Sequence, residues 1–446
     1  MPHIVYILFL FAFGASVGSF LNVVVWRLPQ IKPIEGEGLF RGFIRSIQVL
    51  SEPPSHCPKC NRRLKWYDNL PVFGWLKLRG KCRFCRQPIS MRYPIIEAIA
   101  GLIFVGYYAA FFIYQTGPCV HDAVTGQDSR PLLYIANQWW LYGLYMMLLS
   151  GLLAASLIDA EMFIIPMEIP WTITIAGVVA HSIFDSPYGV GNLIVGPVAA
   201  AVALGGAAGL AASILFLWKG FLGRSFAEGA PLLEIERDAH DRLKKESKKQ
   251  TGKSKSKSGK PASMPVNSDE PREWSRSEVR REMRHEMRFL LLPMFGAIAC
   301  GSAAWKFHPA AQAWAAFVAL PHVGGFFGAV YGGLIGGMVV WLTRIFGTLV
   351  FGREAMGMGD VDLMVCVGAV LGAFASTVAF FLAPFLGIGV AIYMFATGSK
   401  RELPYGPYLS LAAALVMLFY CPIVAALAPG LDNMAWLLRQ VVAGGN

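Results

Sequence analysis

Charge is scarce in this chain. Lys, Arg, Asp and Glu make up 15% of its 446 residues, and 55% are hydrophobic, whereas an ordinary soluble domain is about 25% charged. That excludes a soluble globular enzyme and points to a chain that crosses a membrane many times. Asp-Thr-Gly and Asp-Ser-Gly are both absent, so a pepsin-type aspartate dyad is excluded. No Gly-rich loop follows a strand pattern, so no nucleotide-binding unit is legible. There is no convincing internal repeat. The first apolar stretch has little positive charge ahead of it and no small-residue cleavage site, so it reads as a retained helix rather than a signal peptide. Outside one segment, cysteine is sparse. Cys119, Cys300, Cys366 and Cys421 stand singly; three lie in apolar spans and read as packing residues. Cys119 falls in an outer loop with no obvious partner.

A helix needs about 20 apolar residues to cross a bilayer. Ten segments qualify or come close: Ile4–Val25, Pro94–Tyr114, Trp139–Ile158, Ile169–Phe184, Val190–Trp218, Phe289–Ala304, Val323–Leu342, Val361–Ala375, Thr377–Ala396 and Leu409–Leu427. The pair between Val361 and Ala396 is the weakest, because its first member is short and starts with acids. The expected fold is therefore an all-α polytopic membrane protein with about 8–10 transmembrane helices and one small metal-clipped domain. Pro309–Pro321 is semi-apolar and reads as interfacial or re-entrant. The net charge of +11 follows the positive-inside rule and implies no nucleic-acid partner. Placing the basic loop Arg27–Arg92 in the cytoplasm puts Asp159–Glu168, Lys219–Arg288 and Thr343–Asp360 on the same side.

Within Lys219–Arg288, eight lysines from Lys244 to Lys260 alternate with Ser and Gly. Such a stretch cannot bury enough apolar surface to fold and reads as a solvated linker. Glu278–Arg288 reads as a short charged helix leading into the next span. The chain thus divides into 1–26, a first membrane helix; 27–93, a cytoplasmic knuckle domain; 94–218, membrane helices; 219–288, the basic linker; and 289–446, further membrane helices.

Two Cys-x-x-Cys pairs, Cys57/Cys60 and Cys82/Cys85, stand about twenty residues apart in the basic loop. Each pair is a knuckle presenting two thiolates on one turn, and two knuckles supply the four ligands of a tetrahedral Zn²⁺. Lys and Arg near the sulfurs favour thiolate. Four thiolates leave no open coordination position, which argues for a structural zinc. His56 reads as a neighbour. Reduced free cysteines and a redox pair are the alternatives; the latter lacks a thioredoxin-like context.

Acids beside hydrocarbon are costly and are functional candidates by default. Asp159 stands where Trp139–Ile158 runs out, ahead of Ile164-Ile165-Pro166. Asp360 ends Gly357-Met358-Gly359-Asp360, just before the next span. Both fall at the same membrane boundary. Two carboxylates that share a site cannot both ionise easily, so one keeps its proton. Such a pair can act as general base toward water and general acid toward a peptide bond. Gly357 and Gly359 would let an extended peptide approach the backbone. The plain alternative is two helix-end caps. Asp362 would face away from Asp360 on a helix. Glu97, Glu161, Glu168 and Glu354 are acids that could tune the pair.

Several motifs together resemble the type IV prepilin peptidases (prepilin leader peptidase/N-methyltransferase, of the GxGD type). They are Gly18-Ser19-Phe20-Leu21-Asn22, Arg27-Leu28-Pro29, the two knuckles with Trp66, Asn69-Leu70-Pro71, Leu78-Arg79-Gly80, Ile89-Ser90, Arg92-Tyr93-Pro94 and Glu97, then Asp159 with Ile165-Pro166, and Glu354–Asp360. The resemblance implies a bacterial inner-membrane aspartic endopeptidase. It would cut the leader from type IV prepilins and type II secretion pseudopilins at the cytoplasmic face. It also implies S-adenosylmethionine-dependent N-methylation of the new N-terminus, with 27–93 as the methyltransferase domain. Asp159 and Asp360 take the catalytic roles, and Cys57, Cys60, Cys82 and Cys85 the metal. The chain departs from the family pattern at Asp362, where Lys is common, at Met167, and in the wide separation of the two aspartates. A proton-coupled transporter, a non-catalytic zinc-bearing scaffold and a peptidase without methylation are the competing readings.

Overall fold

The computed structural model describes residues 3–31, 39–51, 57, 59–116, 120–121, 128–129, 134–184, 193, 195–223, 225, 275–306, 308–320, 322–397, 403–427 and 430. The lysine-rich stretch, His56, Pro58 and Cys119 lie outside these residues. Twelve helices carry the fold among the described residues. They are α1 (His3–Arg27), α2 (Leu39–Ser51), α3 (Phe73–Lys77), α4 (Arg92–Tyr108), α5 (Ile135–Met162), α6 (Glu168–Ile183), α7 (Pro197–Trp218), α8 (Arg276–Lys306), α9 (His308–Val318), α10 (Val323–Phe351), α11 (Met358–Ala396) and α12 (Gly406–Leu418). A two-residue pairing of Val120–His121 with Asp128–Ser129 is the only strand structure there. The chain is an all-α polytopic membrane protein.

With no hydrophobic driving force between helices in lipid, small residues set which helices meet. Gly14 and Gly18 of α1 lie against Phe104 and Glu97 of α4, Gly205 of α7 faces Gly296 of α8, and Gly332 of α10 faces Gly368 of α11. The glycine run Gly324–Gly337 marks the α10 side of that last contact. The largest apolar core is built from α4, α5, α11 and α12, with the inner end of α1.

Seven helices are long and apolar enough to cross a membrane; Gly406–Leu418 with Tyr420–Leu427, bent by 86°, would make an eighth. Ten segments were expected, and two features account for the difference. First, α6 has only 16 residues. It nevertheless returns along α5, because Phe184 just past its end stacks on Trp140 near the start of α5, with ring centroids 5.0 Å apart. Second, Val361–Ala375 and Thr377–Ala396 follow each other without a loop as one element, α11, which Gly372 (φ 87°, ψ 170°) breaks into two helical legs. A Cβ on Gly336 would touch both the Met364 carbonyl and Ser376 Oγ, the latter at 3.2 Å. In a straight helix twelve residues span about 18 Å. α11 therefore reverses at Gly372, into two antiparallel legs. The short charged helix and the span expected after the linker are also one element, α8, with Pro293 inside it. Pro309–Pro321 holds α9.

Of the single cysteines, Cys366 is free and buried and Cys300 is free. Cys421 departs from the packing role expected of it: it is disulfide-bonded.

Candidate functional site

The two aspartates, 201 positions apart, come together at one end of the bundle. Asp159 lies in the last turn of α5, and Asp360 in the first turn of α11; each is 7% exposed. The Gly406 amide, at the start of α12, donates to Asp159 Oδ2 at 3.0 Å. The Gly357 amide faces the Asp360 carboxylate, and the charges of the two aspartates act on each other. Ile165 joins the two halves. It is in tight contact with Gly359 on one side (2.8 Å from Ile165 Cβ to where a Cβ on Gly359 would stand) and with Gly406 on the other (3.2 Å from its Cδ1). Each carboxylate therefore has a backbone amide to hold it, and Asp360 also gains from the positive end of the α11 dipole.

The loop that carries Gly357 and Gly359 is held by a buried cation. Arg344 of α10 donates to the Met356 carbonyl and pairs with Glu354 through one nitrogen. Its other nitrogens reach Glu286 of α8 at 3.2 and 3.3 Å. Trp341 Nε1 also donates to Glu286, at 2.9 Å, and the Ala355 amide donates to Thr348 Oγ1 at 3.1 Å. Both charged partners from the helices, Arg344 and Glu286, are almost wholly buried. A buried pair of this kind holds geometry because loss of either partner strands the other.

The other acids sort themselves differently. Glu354 acts on Asp360 from its place on Arg344. Glu161 pairs with Arg92 at 2.5 Å, Glu168 accepts from Ser46 of α2 at 2.9 Å, and Glu97 accepts from the Val72 amide at 2.7 Å. Asp362 turns to Trp171 of α6, away from the pair as its helix position requires. Sequence reasoning missed three contributors: Arg344, Gly406 and Tyr405, whose phenol lies within electrostatic reach of Asp360 and donates to the Phe380 carbonyl at 3.3 Å. The legible signal was Pro404-Tyr405-Gly406-Pro407, a turn sequence set directly against an apolar helix, and a lone Arg inside an otherwise apolar span.

The cysteine quartet forms a second centre on the same end. The four sulfurs all lie within 4.8 Å of one another. The knuckles are built alike. The amide four residues after the first cysteine returns to that cysteine's carbonyl (Asn61 to Cys57, 2.8 Å; Arg86 to Cys82, 3.0 Å), and each cysteine amide closes the turn on the fifth residue (Arg62, 3.0 Å; Gln87, 2.9 Å). Zn–S bonds of about 2.3 Å in a tetrahedron set sulfurs about 3.8 Å apart, and Cys57 Sγ lies 3.8 Å from Cys85 Sγ. The quartet fits a tetrahedral metal. Amides of Cys85 and Phe84 aimed at Cys82 pull its thiol down to about 7, despite its burial. Around the quartet, Arg83 grips buried Asp68 through two nitrogens and holds that carboxyl below its ordinary value. Lys65, Lys77 and Arg83 surround the Tyr67 ring at 5.2–5.6 Å.

Residues 12–111 match the family described as Bacterial Peptidase A24 N-terminal domain, a stretch that contains both knuckles and ends before either aspartate. Similar proteins named prepilin leader peptidase/N-methyltransferase occur in several bacteria. That of Myxococcus xanthus is 37% identical over 147 residues, 33% of this chain and 38% of that protein. That of Stutzerimonas stutzeri is 31% identical over 176 residues, 38% of this chain and 52% of that protein. That of Xanthomonas campestris pv. campestris is 31% identical over 166 residues, 32% of this chain and 58% of that protein. The match spans 38% to 58% of the length of these curated relatives. No solved structure matches it.

Proposed function

We propose that the chain is a prepilin leader peptidase/N-methyltransferase, as its similarity to proteins of that name supports, and a membrane aspartic endopeptidase with Asp159 and Asp360 as its dyad. Its substrates are prepilins and pseudopilins, cut after a short basic leader. The observation that carries this reading is the meeting of the two buried carboxylates around Ile165, each with its own amide donor. Two carboxylates so placed share one proton. The ionised member takes a proton from water as its oxygen attacks the scissile carbonyl. The protonated member gives its proton to that carbonyl oxygen; collapse of the resulting gem-diol then returns one hydroxyl proton to that carboxylate, while the proton taken from water passes to the leaving nitrogen and the amine departs. Burial keeps competing water out and strengthens both charges' effect.

The end carrying the dyad is assigned to the cytoplasm. Two facts support that. The quartet's thiols are free, as in a reducing compartment, and Cys421, past the opposite end of α12, is disulfide-bonded. Arg92, beside Glu161, and the basic loop around the quartet fit the positive-inside rule. Cys57, Cys60, Cys82 and Cys85 would hold a structural Zn²⁺, whose closed thiolate shell fixes the fold of the knuckle domain. The methyl-transfer half of the activity follows from kinship. Among the described residues no strand–glycine loop–helix unit stands ready to cradle S-adenosylmethionine, and no residue is assigned to it.

The test uses the full-length protein in membranes with a prepilin, with and without S-adenosylmethionine, read by intact mass. The wild type should release the leader in both arms and add 14 Da, one methyl group, only in the second. Asp159→Asn and Asp360→Asn should each insert normally and cut at less than a thousandth of the rate. Unimpaired cutting by either variant would refute the dyad.

A further inference from the structure

The knuckle domain is tied to the membrane helix α4. The Val72 amide, which lies between the 3₁₀ turn Trp66–Asp68 and α3, is bonded at 2.7 Å to Glu97 Oε2. Glu97 lies five residues into α4 from Arg92, about 7.5 Å along the axis. Its neighbour on α1 is Gly18, nine residues, or about 13 Å, inward of Arg27. Helical side chains lean toward the N-terminus, so the Glu97 carboxylate reaches back toward Arg92. The Val72 loop thus sits between the levels of Glu97 and Arg92, alongside the stretches of α1 and α4 long and apolar enough to cross a membrane. Tyr93 of α4 is exposed at this level, and Trp26 of α1, four residues beyond the Asn22 that bonds the Tyr93 carbonyl, is exposed about 6 Å further out; both are residue types of an interfacial belt.

The loop pays in strain for this position. Val72 has φ 61° and ψ −54°, and the Phe73 amide bonds to the Pro71 carbonyl at 2.6 Å. That is a γ-turn of the rare, positive-φ kind, at a β-branched residue. A conformation this costly persists only where the surroundings hold it, and here the buried Glu97 carboxylate does so. What the turn presents outward is apolar: Leu70 is 47% exposed, Phe73 67% and Leu76 56%. On α3, Phe73 and Leu76 share one face, while Trp75 turns inward to donate to the Ile89 carbonyl. Lys65 and Lys77 both lie over the Tyr67 ring, and Lys77 follows Leu76 directly at the end of α3.

We propose that residues 70–77 are a membrane-interface anchor: Leu70, Phe73 and Leu76 lie at the headgroup–acyl boundary of an anionic bilayer, with Lys65 and Lys77 among the headgroups. Apolar side chains at that depth meet lipid, and adjacent cations favour an anionic leaflet. The anchor goes beyond the peptidase reading and does not depend on it. It sets the metal-clipped domain at the height where a membrane-held N-terminus would emerge, rather than leaving it in bulk solvent.

The experiment places the photoreactive residue p-benzoylphenylalanine at Phe73, or at exposed Asn61 in the first knuckle turn, in the full chain. The protein is reconstituted in nanodiscs of phosphatidylethanolamine and phosphatidylglycerol, illuminated and weighed intact. Phospholipid adducts should form at position 73 at least ten times more often than at position 61, and more with phosphatidylglycerol than without it. Glu97→Ala should cut the adduct at 73 several-fold, and Glu97→Gln, whose amide oxygen still accepts the Val72 N–H, should restore it. Zinc content, one per chain in every variant, reports that the domain is folded. Equal adducts at 61 and 73 would overturn the anchor. So would replacement of the lipid adduct by a prepilin adduct when substrate is added, which would make the patch a protein-docking surface. Neither result bears on whether Asp159 and Asp360 cut.

Discussion

Arg344 offers the sharpest test of how the aspartate loop is held. In Arg344→Met the volume is nearly kept, but Glu286 and Glu354 lose their cation and the Met356 carbonyl loses its donor. The Arg344 side chain is 4% exposed and that of Glu286 3%. Removing one partner of a buried pair costs about 3–5 kcal/mol. Melting in mild detergent should show that loss. Adding Glu286→Gln in the same chain removes one stranded charge, so the double variant should recover about 1–3 kcal/mol relative to the sum of the singles, the range of coupling between groups in one network. Cleavage should fall further than stability explains. Met356 precedes Gly357-Met358-Gly359-Asp360, and a displacement of about 1 Å at a catalytic group costs about 10²-fold. The assay is the prepilin cleavage rate, normalised to folded protein, for the two singles and the double. A strictly additive cycle, or a single variant that melts within about 1 kcal/mol of wild type, would refute the claim that this network supports the site.

The other expectations concern single positions. In Gly406→Ala the new Cβ would stand 2.6 Å from Asp159 Oδ2; the carboxylate must move, and cleavage should drop about 10²-fold with zinc content unchanged. Cys82→Ser, or zinc removal by a chelator, should expose the knuckle domain to proteases, read by limited digestion, while Asp159→Asn leaves it resistant. Gly372→Ala forces a side chain into φ 87° and should cost about 1–3 kcal/mol in the same melting assay. Wild-type protease resistance in Cys82→Ser, or wild-type melting in Gly372→Ala, would count against the assignment it tests.

How much of this was legible in the sequence differs by element. The knuckles and the Gly-x-Gly-Asp loop were legible because their chemistry is local: ligand spacing and a turn are properties of four or five adjacent residues. The helices of the core were legible from apolar runs, but their connections were not. Two apolar segments were legible in 361–396, but nothing in the composition says that they meet without a loop and reverse at Gly372, since a glycine inside an apolar run is compatible with a straight span. Gly406 and Arg344 were missed for a related reason. Gly406 acts through its backbone amide on a residue 247 positions away, and a backbone amide leaves no mark of its own in the sequence. Arg344 falls within the loop expected at Thr343–Asp360, and only the packing of α8 against α10 makes it the buried partner of Glu286, Glu354 and the Met356 carbonyl. Cys421 stood alone in the sequence because a cysteine's partner is set by the tertiary path.

The reversal in α11 has a consequence for the lipid around the protein. Its first leg runs from 358 to 371, about 21 Å, and α12 is about 20 Å long, against a hydrocarbon slab about 30 Å thick. Irregular backbone at membrane depth is tolerated only where protein covers it, and here Gly372 is buried against Gly332 while Ser376 and Thr377 both return their hydroxyls to the Ala373 carbonyl. The far end of that first leg is thus sealed by a neighbouring helix, in a region that lipid tails would otherwise fill. Hydrophobic mismatch falls on the very helices that position Asp360 and Gly406, so acyl-chain length becomes a variable that acts on the carboxylate pair without touching it.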